Sequence, residues 1–156
     1  MKYQKIDSKL FIKNRKNFLS RMKLNSIAFF NSNDIYPISA DSTLPFEQQR
    51  DMFYLSGVDQ EESILMLCPG YSDQNLREVL FLKETDEHIA VWEGPKLNKK
   101  QAFQTSGIKS IFWLDEMENI IDKVMDECET IYYNHNEHYR AKVEMETREE
   151  RFNKWL

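Results

Sequence analysis

Pro45-Phe46-Glu47-Gln48-Gln49-Arg50-Asp51-Met52-Phe53-Tyr54-Leu55-Ser56-Gly57 is the stretch on which the reading of this chain turns. It runs from a polar, proline-bearing loop straight into four apolar residues, Met52 to Leu55, and stops at a Ser-Gly pair. A short apolar run closed by glycine reads as a β-segment ending in a turn. Three further segments follow the same design. Ser63 to Cys68 ends at Pro69-Gly70, Glu78 to Lys83 follows the polar loop Tyr71 to Arg77, and His88 to Trp92 ends at Gly94-Pro95. Segments this close together predict antiparallel hairpins.

Outside this middle third, helix and strand alternate. Residues 8–23 predict an amphipathic helix capped by Ser8, with Phe11, Phe18, Leu19 and Met22 on one face and Lys13, Arg15, Lys16 and Arg21 on the others. Ser26 to Asn31 reads as a buried strand. Ser32 to Gln49 is a long loop containing Pro37 and Pro45, and loops of that length usually serve function or an interface. Downstream, Asn98 to Thr105 is a short helix stopped by Gly107, and Ile108 to Leu114 is a strand. Asp115 to Cys128 is the clearest helix, since Met117, Ile120, Ile121, Val124, Met125 and Cys128 share one face behind an Asp115 cap. Thr130 to Tyr133 is a last strand, and Glu144 to Leu156 a charged helix ending in Phe152, Trp155 and Leu156. The pattern is that of an α/β domain with a mixed β-sheet flanked by helices.

The chain has 156 residues, 41% of them hydrophobic and 30% charged, with only four glycines and four prolines. That is one domain with enough apolar material for a core, which excludes a disordered or collagen-like chain. No window approaches the ~18 apolar residues of a membrane span, so no membrane partner is expected. The first residues lack the apolar stretch of a secretory signal, and Cys68 and Cys128 make no disulfide framework. A cytoplasmic protein with reduced thiols is the expectation. Charge is uneven: residues 1–25 carry +7 and the remainder −12, for −5 overall. The basic first helix invites nucleic acid, but the acidic body repels phosphate, so no nucleic-acid partner is expected.

The standard catalytic motifs are missing: no glycine-rich phosphate loop, no H-E-x-x-H, no G-x-S-x-G and no C-x-x-C. His135-x-x-His138 with Glu137 is the best metal candidate, but its surroundings read as a turn and no metal is assigned to it. His88 reads as a cross-strand partner, Asp51 as a structural carboxylate, and Cys68 as a small core residue. The seven carboxylates of Asp115 to Glu129 read as the solvated face of a helix. No catalytic residue is assigned.

Pro45, Phe46, Gln48, Asp51, Tyr54, Leu55, Ser56 and Gly57 together match a known pattern, and the segment resembles the signature of the aminopeptidase P amino-terminal domain. This creatinase/prolidase-like module precedes the catalytic domain of Xaa-Pro aminopeptidases. The likeness continues in Trp92-Glu93-Gly94, which looks like the family's W-x-G, in Gly107-Ile108, in the Arg15-bearing first helix and in the tail Thr147 to Phe152. Met52 replaces a usual aromatic. Glu47 stands where Arg is frequent, and Pro95-Lys96 follows the W-x-G glycine; these two departures touch surface contacts.

The resemblance implies a ribonuclease-H-like fold over residues 1–142, with 143–156 beginning a helix toward a catalytic domain further along a longer chain. That domain would use two Asp, one His and two Glu to hold two divalent ions, typically manganese, for hydrolysis of the bond before proline. None of those ligands is assigned here, and no cofactor is expected in this segment, which should be catalytically silent. The implied partners are the chain's own C-terminal catalytic domain, further copies in a homodimer or tetramer, and a peptide with proline at its second position. The implied work is oligomerisation and gating of the cleft, with Trp92 either facing substrate or, as a strand-end aromatic, closing the core. Pro45, Phe46, Gln48, Asp51, Tyr54, Leu55, Gly57 and Gly94 are expected to set geometry. The alternative is a stand-alone binding module or pseudo-enzyme of the creatinase/prolidase family.

Overall fold

Alternating residues of adjacent strands set the two faces of a central sheet. The structure, a computed structural model, describes residues 6–86, 88, 90, 91, 94–134, 154 and 155. Its strands are β1 (Ser26–Asn31), β2 (Pro37–Ser39), β3 (Ser42–Thr43), β4 (Ser63–Leu67), β5 (Glu78–Leu82), β6 (Ser110–Trp113) and β7 (Thr130–Tyr133). Five of them form one sheet in the order β6-β5-β4-β1-β7. β4 runs antiparallel to β1 and β5, whereas β6 and β7 lie parallel to β5 and β1. The sheet is therefore mixed, as the alternation of elements predicts. β2 and β3 pair with each other as a small hairpin inside the long 32–49 loop.

One face carries Ala28, Phe30, Leu65, Leu67, Leu80, Leu82 and Ile111, and three helices cover it. These are α1 (Ser8–Leu19), α2 (Arg50–Ser56) and α3 (Lys99–Ser106), which contribute Met52, Leu55 and Ala102 to the core, while the turns after α2 and α3 add Val58 and Ile108. The other face carries Ile27, Met66, Val79 and Phe81 against Ile120 and Val124 of α4 (Met117–Met125). Period-two strands between helices on both faces bury both sets of side chains, and each fully buried Leu, Ile or Phe contributes about 1.5–3 kcal/mol. Among the described residues no helix is long and apolar enough to cross a membrane.

Met52 to Leu55 is not a strand. The segment forms the middle of α2, because the Gln49 side-chain carbonyl accepts the backbone N–H groups of Asp51 and Met52 at 2.6 and 2.9 Å and so starts a helix. Asp51 then stands in the first turn, where the exposed N–H groups favour a negative charge. His88, Ala90 and Val91 are helical as well, with Ala90 N–H donating to Asp86 O, which corrects the strand expected over His88 to Trp92.

Smaller corrections concern caps. Asp7, not Ser8, caps α1 by accepting the Lys9 N–H at 2.9 Å. α4 is shorter than Asp115 to Cys128, and Glu116 rather than Asp115 closes its start. The Glu116 carboxylate accepts the Trp113 N–H at 2.8 Å and pairs with Lys99 at 3.2 Å. That N–H, helped by Lys99, holds the Glu116 carboxyl below the usual carboxylate range. The tail from Glu144, apart from Lys154 and Trp155, and the candidate metal residues His135, Glu137 and His138 lie outside the described residues.

Candidate functional site

The signature segment is held by a buried arginine that sequence periodicity placed on the solvent side. Arg15 is 1% exposed, and its guanidinium lies where the C-termini of α2 and α3 converge. One nitrogen donates to Leu55 O at 2.8 Å and to Ser106 O at 3.0 Å, and Nε donates to Glu78 at 2.8 Å. Neighbouring Asn14 donates to Tyr54 O at 2.8 Å. Helix C-termini carry partial negative charge and orphan carbonyls, so a buried cation between two of them satisfies both while Glu78 balances its charge.

The two helix ends meeting there are built alike. In α2 the Ser56 hydroxyl donates to Met52 O and accepts the Val58 N–H, and Gly57 follows with φ +70°. In α3 Ser106 donates to Ala102 O and accepts the Ile108 N–H, and Gly107 follows with φ +73°. Each Ser-Gly pair closes a helix and sends the chain inward, so that Val58 and Ile108 are fully buried. Leu55, in the last turn of α2, is 2% exposed and fixes that helix on the sheet.

Gln48 ties the loop before α2 to the turn after it. Its amide nitrogen donates to Val58 O at 3.1 Å and Gln60 O at 2.8 Å, and its carbonyl accepts the Gln49 N–H at 2.7 Å. Gln60 in turn accepts the Leu97 N–H at 2.7 Å, and Glu61 pairs with the nearly buried Lys96. The turn that Gln48 ties down thus anchors the loop that follows Gly94. Gln48→Glu should place a carboxylate against two carbonyl oxygens and destabilise the fold by about 2–3 kcal/mol at neutral pH, read from a urea transition, whereas Gln48→Ala should cost about 1–2 kcal/mol. A Glu variant as stable as wild type would remove Gln48 from this role.

The expected site residues that the structure describes do not converge on a reacting centre. Pro45 is exposed and Phe46 half-buried in the loop ahead of α2, Asp51 lies on the outside of that helix, and Gly94 adopts φ +80° in a loop. Trp92 lies outside the described residues. Tyr54 is 56% exposed beside a groove of about 450 Å³ between α1 and α2, whose apolar wall includes Leu10, Phe11 and Phe53. Among the described residues no group of three or more His, Cys, Asp or Glu could hold a metal ion. Sequence reasoning missed Asn14 and Gln60. Their only signal was polar character in positions the fold buries.

A model of the family described as "Aminopeptidase P, N-terminal domain" matches residues 11–132. The chain is 28% identical to Xaa-Pro aminopeptidase 3 of Homo sapiens over 104 residues, which cover 65% of this chain and 20% of that protein. It is 24% identical to the Xaa-Pro aminopeptidase of Escherichia coli over 133 residues, covering 85% of this chain and 30% of that protein. The chain therefore spans between a fifth and a third of the length of these curated relatives. Among solved structures, aminopeptidase PepP of Pseudomonas aeruginosa superposes with a TM-score of 0.77 at 22% identity, over 97% of this chain and 32% of that one. Aminopeptidase P of Escherichia coli with the inhibitor Pro-Leu gives 0.74 at 23% identity, over 90% and 32%. With a signature segment from Pro45 to Gly57, a mixed five-stranded sheet and a family match over most of its length, this chain belongs to the aminopeptidase P amino-terminal domain family.

Proposed function

We propose that this chain is the non-catalytic amino-terminal domain of a Xaa-Pro aminopeptidase, docking on a catalytic domain, mediating assembly and walling the peptide cleft. The observation that carries this reading is where the polar groups of the signature and its supports go. Asn14, Arg15, Gln48 and Gln49 donate to, or accept from, main-chain groups that close α2 and its flanking loops. Groups engaged in that way build a rigid element; they do not attack a bond. In the parent enzyme, hydrolysis of the bond preceding proline belongs to two divalent manganese ions held by the catalytic domain. The share of the relatives that this chain covers supports such a division of labour.

The anchoring of the 94–98 loop on Gln60 and Glu61 supports Trp92 as the substrate-facing residue. The open groove beside Tyr54 supports a contact surface for a neighbouring domain or copy, in a dimer or tetramer. The purified chain, supplied with manganese and a Xaa-Pro dipeptide, is expected to release no more amino acid than buffer does. Chelator-sensitive, proline-specific turnover by this chain would overturn its non-catalytic assignment. Sedimentation is expected to show self-association, and a strictly monomeric species would count against an interface confined to this domain.

A further inference from the structure

Cys68 and Cys128 are 60 positions apart in sequence, yet their sulfurs lie 3.6 Å from each other, and both thiols are free. Cys68 follows the last residue of β4 and is 1% exposed. Cys128 lies just beyond the end of α4, half-buried, with its sulfur also directed at Val124 O at 3.3 Å. A disulfide requires the sulfurs to close to about 2.05 Å. Closing the bond shortens the sulfur–sulfur distance by about 1.5 Å and gives up the weak contact of Cys128 to Val124 O.

We propose that Cys68 and Cys128 form a reversible intrachain disulfide, a redox clasp joining the end of β4 to the end of α4. The entry point is Cys128, since it is the thiol that solvent reaches. Burial, reinforced by Cys128 itself, pushes the Cys68 thiol up to about 12, so it is neither exposed nor ionised enough to react first. Around the pair stand Glu127, which accepts hydrogen bonds from the Ser72 backbone and hydroxyl, and Tyr71, whose hydroxyl donates to Lys123 O.

The oxidant is a low-molecular-weight disulfide, RSSR. The Cys128 thiolate attacks one of its sulfurs, the S–S bond breaks, and RS⁻ departs to take up the proton that Cys128 released. Cys68 then loses its proton, attacks the Cys128 sulfur of the mixed disulfide and expels the second RS⁻, which that proton converts to RSH. Two thiols have given two electrons and two protons to RSSR, leaving one protein disulfide and two RSH.

The test uses the folded chain and oxidised glutathione at neutral pH. Free thiol per chain, counted by alkylation in denaturant, is expected to fall from two to none, with the mass lowered by two hydrogens and no cross-linked dimer on a non-reducing gel. The thermal midpoint is expected to rise by on the order of 10 °C, as for a link closing a 60-residue loop, and to return on adding dithiothreitol. Cys68→Ala should stop at a glutathione adduct on Cys128 without stabilisation, and Cys128→Ala should not react. Two thiols persisting after oxidation, bonds formed only between chains, or a link that leaves the midpoint unchanged would each overturn the clasp.

Discussion

Arg15→Met is expected to destabilise the fold by on the order of 3–5 kcal/mol, a large share of the about 5–15 kcal/mol that domains usually possess. Methionine keeps most of the apolar stem but strands Leu55 O and Ser106 O at two helix ends and leaves Glu78 without its cation. Each carbonyl left dry costs about 1–3 kcal/mol, and neither has an alternative donor from the same helix once the chain has turned away. Arg15→Lys should recover only part of the loss. An ammonium is a point donor and cannot span two carbonyls and a carboxylate with the reach of a guanidinium. Glu78→Gln is the informative control. Glu78 keeps a third of its side chain in solvent, and an amide oxygen still accepts from Nε, so about 1 kcal/mol is expected. Urea transitions of the three variants test the ranking. Arg15→Met within about 1 kcal/mol of wild type would show that water reaches these helix ends and that the arginine is no keystone.

The same residue shows why sequence reading reached some parts of this molecule and not others. The apolar period of residues 8–23 correctly gives a helix, and its Lys and Arg residues are assigned to solvent because helical charges normally are. Arg15 breaks that rule through partners 40, 63 and 91 positions away, and no local window contains them. Strands β1, β4, β5, β6 and β7 are legible because each is a short apolar run bounded by turn residues. Met52 to Leu55 has the same look and is helical, since four apolar residues fit a buried strand and a buried helix turn equally well. A discriminating signal was available, because Ser56-Gly57-Val58 repeats the Ser106-Gly107-Ile108 ending already read as a helix stop. The family likeness of Pro45 to Gly57 was legible for another reason. Its residues are fixed by local geometry, a helix cap at one end and a left-handed glycine at the other, and that geometry is written contiguously.

Gly57→Ala is the second large effect, expected at about 2–4 kcal/mol. Part of the cost is the backbone: at φ +70° an alanine pays roughly 1 kcal/mol relative to glycine. The larger part is space. A Cβ at Gly57 would stand 2.2 Å from Cε2 and 2.5 Å from Cζ of Phe11, a ring that is 3% exposed and held edge-on by Phe53 at 6.0 Å between centroids. The ring cannot withdraw without moving α1, and forced overpacking of this kind costs about 1–3 kcal/mol. Gly107 separates the two contributions. Its φ is nearly the same, but a Cβ there meets Cδ1 and Cγ1 of Ile12 at 2.6 and 2.8 Å, in a side chain that is 40% exposed and not packed in the core as Phe11 is. Gly107→Ala should therefore cost about 1–2 kcal/mol, close to the backbone contribution alone. Shrinking the obstacle in Gly57→Ala/Phe11→Leu should return part of the Gly57 penalty, and a double-mutant cycle measures how much. Equal losses at the two glycines, with no coupling to Phe11, would mean that backbone conformation alone selects glycine here and that the contact between α1 and the signature turn is not tight.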